Sequence, residues 1–481
     1  MTLPAPTIAS ILHPAHGRQP LVYFIGAGGI GMSSLARYFR SRGVQVHGYD
    51  RTRTALTKQL EEEGVVMHYD ENVQAVPAAP DLVVYTPAIP ATHAELLHCR
   101  EQGYPLLKRS DVLQLITESS LNICVAGTHG KTTISTMTAH LLRHSGYGCN
   151  AFLGGISVNY GTNFWSHPNG VCVVEADEYD RSFLKLRPDM AVITSMDPDH
   201  LDIYGTPAEM EEAFIAFSKR IKPDGWLIAK HGLSRGAELQ ARHLLTYDLE
   251  NTAASIHTRN LEVKEGGYCF DVCLREEDGT VWSLRNLRLQ AGGLHNVENL
   301  LPAIAAARIL HIGDEAIRAA VAAYQGVKRR FEYILPPEEG GLVFIDDYAH
   351  HPEELQALIR GVRSLFAGYR LVLVFQPHLF SRTRDLAEGF AVSIDKADTV
   401  VLLPVYPARE LPVPGVTSEL IRGHMRNTDV YLWNREELAE KLHILLPEEG
   451  ADVPTVLVTA GAGDIDALLP ELKNRIKTMY A

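Results

Sequence analysis

The sequence predicts an α/β protein of three domains, and three observations support this. Its 481 residues correspond to about three domains at ~150 residues each. Short apolar runs alternate with helical stretches from Leu21 to about Glu118, again from Leu121, and a third time from about Gly341, a pattern typical of parallel sheets covered by helices. Polar or glycine-rich segments follow most of these runs, where α/β proteins bind ligands.

The composition argues against several other classes of protein. The formal net charge is −13 and the pI about 5.9, whereas nucleic-acid-binding domains usually lie above pI ~9. No apolar run reaches the ~18 residues that span a bilayer, so we expect no membrane insertion. The six cysteines form no CxxC pair, which favours a reduced, cytoplasmic protein.

Each domain has its own predicted architecture. Residues 1–20 contain no basic and then apolar block, so they are interpreted as a flexible lead-in rather than a signal peptide. The first and last domains are predicted to be Rossmann-like. The middle domain is predicted to be a P-loop ATPase with a parallel sheet, interrupted around 255–290 by a small antiparallel insert, because apolar residues alternate there. Linkers are expected near 118–120 and 331–341, and the predicted domain limits are 1–119, 120–335 and 336–481.

The first motif is a glycine-rich turn between a predicted strand and a helix, formed by Gly26, Gly28 and Gly31. Glycines permit a tight turn and let backbone N–H groups approach a pyrophosphate, and Asp50 at the end of the next strand completes the pattern. The turn predicts a nucleotide diphosphate site, with NAD as the obvious candidate. The alternative is a tight turn without a ligand.

The second motif is a phosphate loop that follows an apolar run and precedes a helix. It is shorter than the GxxxxGK[ST] form, since Val125 stands where that form has its first glycine. Its amides would surround phosphates, its lysine would lie near the β and γ phosphates, and a threonine hydroxyl could reach Mg²⁺. The loop consists of Gly127, Thr128, His129, Gly130, Lys131, Thr132 and Thr133.

Acidic residues follow a further apolar run, and a histidine ends the next one. Glu175, Asp177, Glu178 and Asp180 would lie at the carboxyl end of a strand, and their hard oxygen atoms suit Mg²⁺. Any one of the last three could instead cap a turn. His200 ends the next strand, so it is expected to face the same crevice.

Two asparagines open a later helix. Asn296 and Asn299 share a helix face at i, i+3, and their amides could pair with an adenine edge. Asn296 could equally be an N-cap.

The third domain places polar residues after several strands, among them Asp346, Tyr348, His378, Arg382 and Tyr406. Together they predict one binding face, and the alternative is a set of ordinary loops and helix caps.

Taken together, these motifs resemble those of the Mur ligases, and within that family the members that add L-alanine to UDP-N-acetylmuramate. The resemblance extends from 21 to about 465. It implies a UDP-sugar-binding domain, an ATPase domain and a C-terminal amino-acid domain. It also implies that Gly26, Gly28, Gly31 and Asp50 serve the UDP-sugar rather than NAD.

The resemblance also implies the chemistry. ATP would phosphorylate the lactyl carboxylate of UDP-N-acetylmuramate, and L-alanine would attack the acyl phosphate, a step of peptidoglycan synthesis. Asn296 and Asn299 would lie near adenine. Two Mg²⁺ ions are implied, with Thr132, Glu175 and His200 as ligands. Tyr348, His378 and Arg382 would face the amino acid and phosphate, and the catalytic residues would be Lys131, Glu175, His200 and Arg382.

Two features depart from the wider family pattern. No lysine stands between Glu209 and Lys219, where several members carry a carbamylated lysine, in keeping with the L-alanine-adding members. Leu379 follows His378, where many of those members have a basic residue, so carboxylate recognition is expected to depend on Arg382 or Arg384.

Three alternatives remain open at this point. A murein-peptide recycling ligase would share the ATP site and the UDP-sugar. An NAD-dependent oxidoreductase would leave the phosphate loop and third domain unexplained, and an ATP-regulated binding module would leave Glu175 and His200 unexplained. The sequence does not predict the oligomeric state.

Overall fold

The computed structural model contains three β-sheets. It describes residues 7–14, 17–199, 201–337, 342–408, 410–447 and 453–480. The chain divides into two compact units, which are described one at a time. The first comprises Met1–Arg259, Val272–Leu284 and Glu298–Val321, and the second comprises Asn260–Asp271, Arg285–Val297 and Ala322–Ala481. Within the described ranges, no helix is long and apolar enough to cross a membrane.

The N-terminal sheet has five parallel strands in the order β3-β2-β1-β4-β5, which confirms the predicted Rossmann-like arrangement. Its strands are β1 (Leu21–Ile25), β2 (Gln45–Tyr49), β3 (Val66–His68), β4 (Leu82–Tyr85) and β5 (Leu106–Lys108). Its helices are α1 (Ile8–Leu12), α2 (Ile30–Ser41), α3 (Ala55–Glu62), α4 (Ala94–Glu101) and α5 (Arg109–Glu118). Helix α1 lies in the predicted flexible lead-in, yet Ile8 and Ile11 are buried, so this part is folded.

The middle sheet has ten strands in the order β15-β14-β13-β12-β11-β10-β6-β9-β7-β8. The strands are β6 (Leu121–Ala126), β7 (Asn150–Ser157), β8 (Thr162–Trp165), β9 (Val171–Glu175), β10 (Met190–Ile193), β11 (Trp226–Lys230), β12 (His243–Tyr247), β13 (Ile256–Lys264), β14 (Gly267–Arg275) and β15 (Val281–Leu289). The helices are α6 (Lys131–His144), α7 (Leu201–Tyr204), α8 (Pro207–Ser218), α9 (Leu294–Ile309) and α10 (Asp314–Ala323).

The predicted insert corresponds to β13, β14 and β15, which are consecutive neighbours in the sheet. Only two residues join β13 to β14, and so short a connection requires antiparallel strands.

The antiparallel hairpin of β7 and β8 was missed by the sequence analysis. Its strands lie beyond β9 at the edge of the sheet.

The C-terminal sheet has six strands in the order β16-β17-β21-β18-β19-β20, parallel except for β16. Its strands are β16 (Glu332–Leu335), β17 (Leu342–Asp347), β18 (Arg370–Phe375), β19 (Thr399–Leu402), β20 (Val430–Leu432) and β21 (Thr455–Ala460). Its helices are α11 (Pro352–Leu365), α12 (Phe380–Ile394), α13 (Ser418–His424), α14 (Arg435–Glu440), α15 (Leu442–Leu445) and α16 (Leu469–Met479). Part of the predicted linker at 331–341 is therefore strand β16, while 338–341 lie outside the described residues.

Candidate active site

The phosphate loop joins β6 to α6, as the sequence predicts. Gly127 has φ +128° and Gly130 has φ +78°, a backbone region that L-residues with a Cβ rarely adopt. Gly130 is the N-cap of α6 and makes no side-chain cap, and Lys131 is the first helical residue. The amides of the loop and the helix N-terminus together form the kind of site that binds phosphate.

Residues that follow β10 hold this loop in place. The Thr194 hydroxyl donates to the His129 carbonyl at 2.5 Å, and the His129 N–H donates to Ser195 Oγ at 3.0 Å. The Thr128 hydroxyl donates to the Asp197 carbonyl at 2.7 Å. Because both sides of the loop are bonded to the neighbouring strand end, its conformation is set before a nucleotide arrives.

Lys131 lies across the loop and is paired with Glu178. Its Nζ donates to the Gly127 carbonyl at 2.8 Å and to Glu178 Oε1 at 2.7 Å. The Lys131 side chain is 15% exposed and that of Glu178 only 1%. The Tyr204 hydroxyl donates to the Glu178 carbonyl at 2.6 Å, which fixes this acidic segment. The sequence predicts Glu178 as a Mg²⁺ ligand or a turn cap, and its pairing with Lys131 was not predicted.

Glu175 and Thr132 are oxygen donors placed at neighbouring elements. Glu175 ends β9 in register with Val125 of β6, and its Oε2 accepts from the Gly154 N–H at 3.0 Å. Thr132 is the second residue of α6 and is buried. A hydroxyl and a carboxylate are the hard donors that Mg²⁺ prefers, so both residues fit a magnesium site.

The third residue of the implied metal set, His200, lies outside the described residues. Among those that are described, no three His, Cys, Asp or Glu side chains form a metal-binding group.

Asp177 and Asp180 take structural roles beside this site. Asp177 Oδ1 accepts from the Tyr179 N–H at 3.1 Å, and its other oxygen pairs with Arg109 at 3.4 Å. Asp180 is exposed and has φ +54°. The contacts of Asp177 fit the turn interpretation, and Asp180 lies in the helical turn that follows.

The two asparagines of α9 occupy different surroundings. A Cβ built on Gly130 would lie 2.9 Å from Asn299 Oδ1, so Asn299 adjoins the phosphate loop. The Asn296 amide donates to the Gly292 carbonyl at 2.6 Å. Because α9 begins at Leu294, Asn296 is not its N-cap.

The glycine-rich turn and Asp50 come together in the N-terminal sheet. Gly26 has φ +90° and its N–H donates to the Tyr49 carbonyl at 2.8 Å. The Gly28 N–H donates to Asp50 Oδ2 at 2.8 Å. A Cβ built on Gly31 would lie 3.1 Å from Cδ of Arg109, so the Arg109 side chain lies against this part of the turn. The turn therefore has a carboxylate and a guanidinium at its borders.

In the second unit, aromatic rings gather at the carboxyl ends of β17 and β18. The ring of His350 lies 5.2 Å from Tyr348 and 6.0 Å from His378, and His378 stacks on Tyr406 at 5.8 Å. Burial, then the charges of Arg382 and His350, lowers the pKa of His378. This shift favours the neutral form of the ring.

Arg382 and Leu379 complete this group. Within the described part of the chain, Arg382 Nη1 and His378 Nδ1 are buried without a hydrogen-bond partner. Leu379 has φ +71°, a strained conformation that is typical of functional sites. Its N–H donates to the Tyr406 carbonyl at 2.9 Å, which ties the start of α12 to the neighbouring loop.

A buried ion pair that the sequence analysis missed lies at the end of β17. Arg329 approaches Asp346 at 3.4 Å, with side-chain exposures of 17% and 0%. Arg329 also donates to the Gly463 carbonyl at 3.2 Å and to that of Gly461. Burial raises the pKa of Asp346 to about 7 and that of Asp347 to about 6.

This burial predicts a pH-dependent stability. The raised pKa means that between about pH 4 and pH 7 the folded chain retains a proton on Asp346 that the unfolded chain has released. The stabilisation is complete below about pH 4 and is lost as the pH rises through about 7. We expect the melting temperature to fall from pH 5 to pH 8, and Asp346→Asn to reduce that fall.

Thermal unfolding at both pH values measures this effect. Asp385→Asn is the control. It removes an exposed carboxylate on α12, a helix of the same domain, and should leave the pH dependence of the melting temperature unchanged. Equal pH dependence in wild type and Asp346→Asn would contradict the assignment.

Models of one protein family match almost the whole described chain. The Mur ligase family, catalytic domain, matches residues 21–120. The Mur ligase middle domain matches residues 125–307. The Mur ligase, glutamate ligase domain, matches residues 329–463.

Two relatives that align over nearly their whole length carry the same name. A UDP-N-acetylmuramate–L-alanine ligase from Cytophaga hutchinsonii is 45% identical over 468 residues, covering 95% of this chain and 97% of the relative. The protein of the same name from Porphyromonas gingivalis is 43% identical, covering 95% and 99%.

Solved structures agree in fold. The crystal structure of the UDP-N-acetylmuramate-alanine ligase from Thermotoga maritima has a TM-score of 0.78 and 26% identity, and the alignment covers 95% of this chain and 99% of that one. A murein peptide ligase from Psychrobacter arcticus has a TM-score of 0.63 at 23% identity, over 95% and 99% of the two chains.

Proposed function

Because the chain belongs to the Mur ligase family, we propose that it is an ATP-dependent ligase that joins L-alanine to the lactyl carboxylate of UDP-N-acetylmuramate. The products are UDP-N-acetylmuramoyl-L-alanine, ADP and phosphate, in peptidoglycan precursor synthesis. The observation that carries this proposal is the 45% identity, over 95% of the chain, to a relative named for that reaction. The phosphate loop, whose Lys131 pairs with Glu178 from the segment after β9, supports the use of ATP.

The reaction proceeds in two steps. A lactyl carboxylate oxygen attacks the γ-phosphorus of ATP, and the bond to the β-phosphate oxygen breaks, giving ADP and an acyl phosphate. The amine of L-alanine then attacks the acyl carbon and loses a proton, and inorganic phosphate leaves. Lys131 offsets charge on the transferring phosphoryl group, the main task of a protein in such a transfer.

The binding residues are divided among the three sheets. The glycine-rich turn with Asp50 takes the UDP-sugar, and the phosphate loop takes ATP, with Asn296 and Asn299 toward adenine. Thr132, Glu175 and His200 would hold two Mg²⁺ ions, which supply charge neutralisation to the phosphates when bound.

The amino acid is assigned to the second unit. Tyr348, His378 and Arg382 bind L-alanine and the leaving phosphate. The buried Arg382 Nη1, without a partner in the described chain, is suited to a carboxylate or phosphate oxygen, and Leu379 offers no such donor.

The chain is assigned to the cytoplasm, where ATP and the nucleotide sugar would be available. All six cysteines are free and five of them are buried, which suits a reducing compartment. The domain limits proposed for the three functions are 1–119, 120–335 and 336–481.

Competition between amines tests the substrate assignment. L-alanine and the recycled murein tripeptide are offered together with ATP and UDP-N-acetylmuramate, and the UDP-sugar product is weighed by mass spectrometry. We expect the L-alanine adduct to dominate. Glycine should be a slow substrate rather than an excluded one, because an apolar pocket distinguishes two substrates that differ by one methyl group by only about 1–3 kcal/mol. A product carrying mainly the tripeptide would assign the chain to the recycling ligases.

The UDP-sugar site has a separate test in Gly28→Ala. A Cβ at Gly28 would lie 2.8 Å from Asp50 Oδ2 and 2.6 Å from Thr57 Cγ2, so the Asp50 carboxylate must move. We expect the KM for UDP-N-acetylmuramate to rise about tenfold, the scale of one lost polar contact, with the KM for ATP unchanged. Gly43→Ala, with open space around its Cβ, is the control. Tight NAD binding together with an unchanged KM would revive the dehydrogenase alternative.

A further inference from the structure

The hairpin of β7 and β8 contacts the helix that carries the glycine-rich turn. In the first unit, the ring of Tyr38 on α2 lies 5.6 Å from Phe152 and 6.2 Å from Phe164. All three side chains are buried. Apolar packing of this kind is non-directional, so it does not by itself determine the position of α2 along the hairpin.

A buried polar cluster at the same contact does determine that position. Asn163 of β8 is fully buried, and its amide donates to the Ile30 carbonyl at 2.5 Å and to Ser33 Oγ at 3.1 Å. Arg37 of α2, 6% exposed, donates to Asn163 Oδ1. Arg37 is held in turn by Glu63 at 2.7 and 2.9 Å. Sliding α2 would leave several buried polar groups without partners, which is unfavourable.

The contact lies close to both proposed sites. Ile30 is the first residue of α2 and lies within the glycine-rich turn, between Gly28 and Gly31. On the neighbouring strand of the hairpin, the Gly154 N–H donates to Glu175 Oε2 at 3.0 Å. The hairpin therefore bonds to the turn at one point and to the carboxylate beside the phosphate loop at another.

From this arrangement we infer that Asn163 is a positioning residue for ligation. It fixes the glycine-rich turn, and with it the UDP-sugar, relative to Glu175 and the phosphate loop, so that the lactyl carboxylate meets the γ-phosphate. The inference rests on the proposed UDP-sugar site. A displacement of about 1 Å between reacting groups can lower a rate about 100-fold. A shift of α2 caused by loss of the Asn163 hydrogen bonds should therefore have a measurable effect on turnover.

Steady-state kinetics of Asn163→Ala test this role. We expect kcat to fall at least tenfold while the KM for ATP stays within twofold of wild type. Asn150→Ala is the matched control, because Asn150 is a buried asparagine of the same hairpin whose side chain bonds to Ser166 and His167 after β8 and to Val171 of β9, away from α2. Asn150→Ala should lower the melting temperature with kcat retained.

The outcomes distinguish this inference from the proposed function. Equal effects of Asn163→Ala and Asn150→Ala on kcat would overturn the positioning role. If Gly28→Ala leaves the KM for UDP-N-acetylmuramate unchanged, the proposed UDP-sugar site is wrong instead. Should Asn163→Ala not fold, Arg37→Met, which keeps the apolar stem and removes the donor to Asn163, must show the same loss of kcat for the inference to stand.

Discussion

Lys131→Ala is expected to lower kcat about 100- to 1,000-fold, the usual effect of losing one preorganised charge-stabilising donor. The UDP-sugar should still bind, because the glycine-rich turn belongs to a different sheet. Phosphate release at saturating substrates measures kcat, and calorimetry measures UDP-N-acetylmuramate binding. Lys222→Ala is the control, since Lys222 pairs with Asp189 at 2.8 Å, just before β10 begins.

Loss of Lys131 also leaves the buried Glu178 carboxylate without its cation, which is destabilising. The double variant Lys131→Ala with Glu178→Gln separates the two effects. It should regain melting temperature relative to Lys131→Ala without regaining turnover. Retention of more than a tenth of wild-type kcat in Lys131→Ala would contradict the phosphate-loop assignment.

Gly127→Ala is the second substitution expected to have a large effect, and the quantity it should lower is the affinity for ATP. Gly127 has φ +128°, and a Cβ there would lie 2.8 Å from the Ser195 backbone nitrogen and 2.9 Å from that of Thr194. Backbone atoms of the neighbouring strand end cannot retreat as a flexible side chain can, so the loop must shift. We expect ATP affinity to fall at least about 100-fold, since the loop amides act together on the phosphates.

Calorimetry with ATP measures this loss, and Gly146→Ala serves as the control. Gly146 also has positive φ, +79°, but has open space where the Cβ would stand. Both variants carry backbone strain, and only Gly127→Ala should lose ATP affinity. Similar ATP affinity in the two would show that the close approach of Gly127 to Thr194 and Ser195 is unimportant for the nucleotide.

Much of the fold could be predicted from the sequence alone, because its signals are local. The alternation of apolar runs and helical stretches predicts three sheets with parallel cores, and the structure contains three such sheets. The glycines at positions 127 and 130 and the adjacent Lys131 predict a loop between strand and helix, since backbone freedom and a following helix are properties of the segment itself. The family resemblance drawn from these motifs is confirmed by the matching family models.

Other features depended on which distant segments become neighbours, and the tertiary structure decided them. Glu175 and Glu178 follow the same apolar run in the sequence, and the tertiary structure pairs Glu178, 47 positions from Lys131, with the lysine's ammonium group. Asn163 meets Arg37 across 126 positions. Local pattern determines where a strand or turn forms, whereas partners of buried charges follow from strand order and helix packing, which bring together residues that no sequence spacing relates.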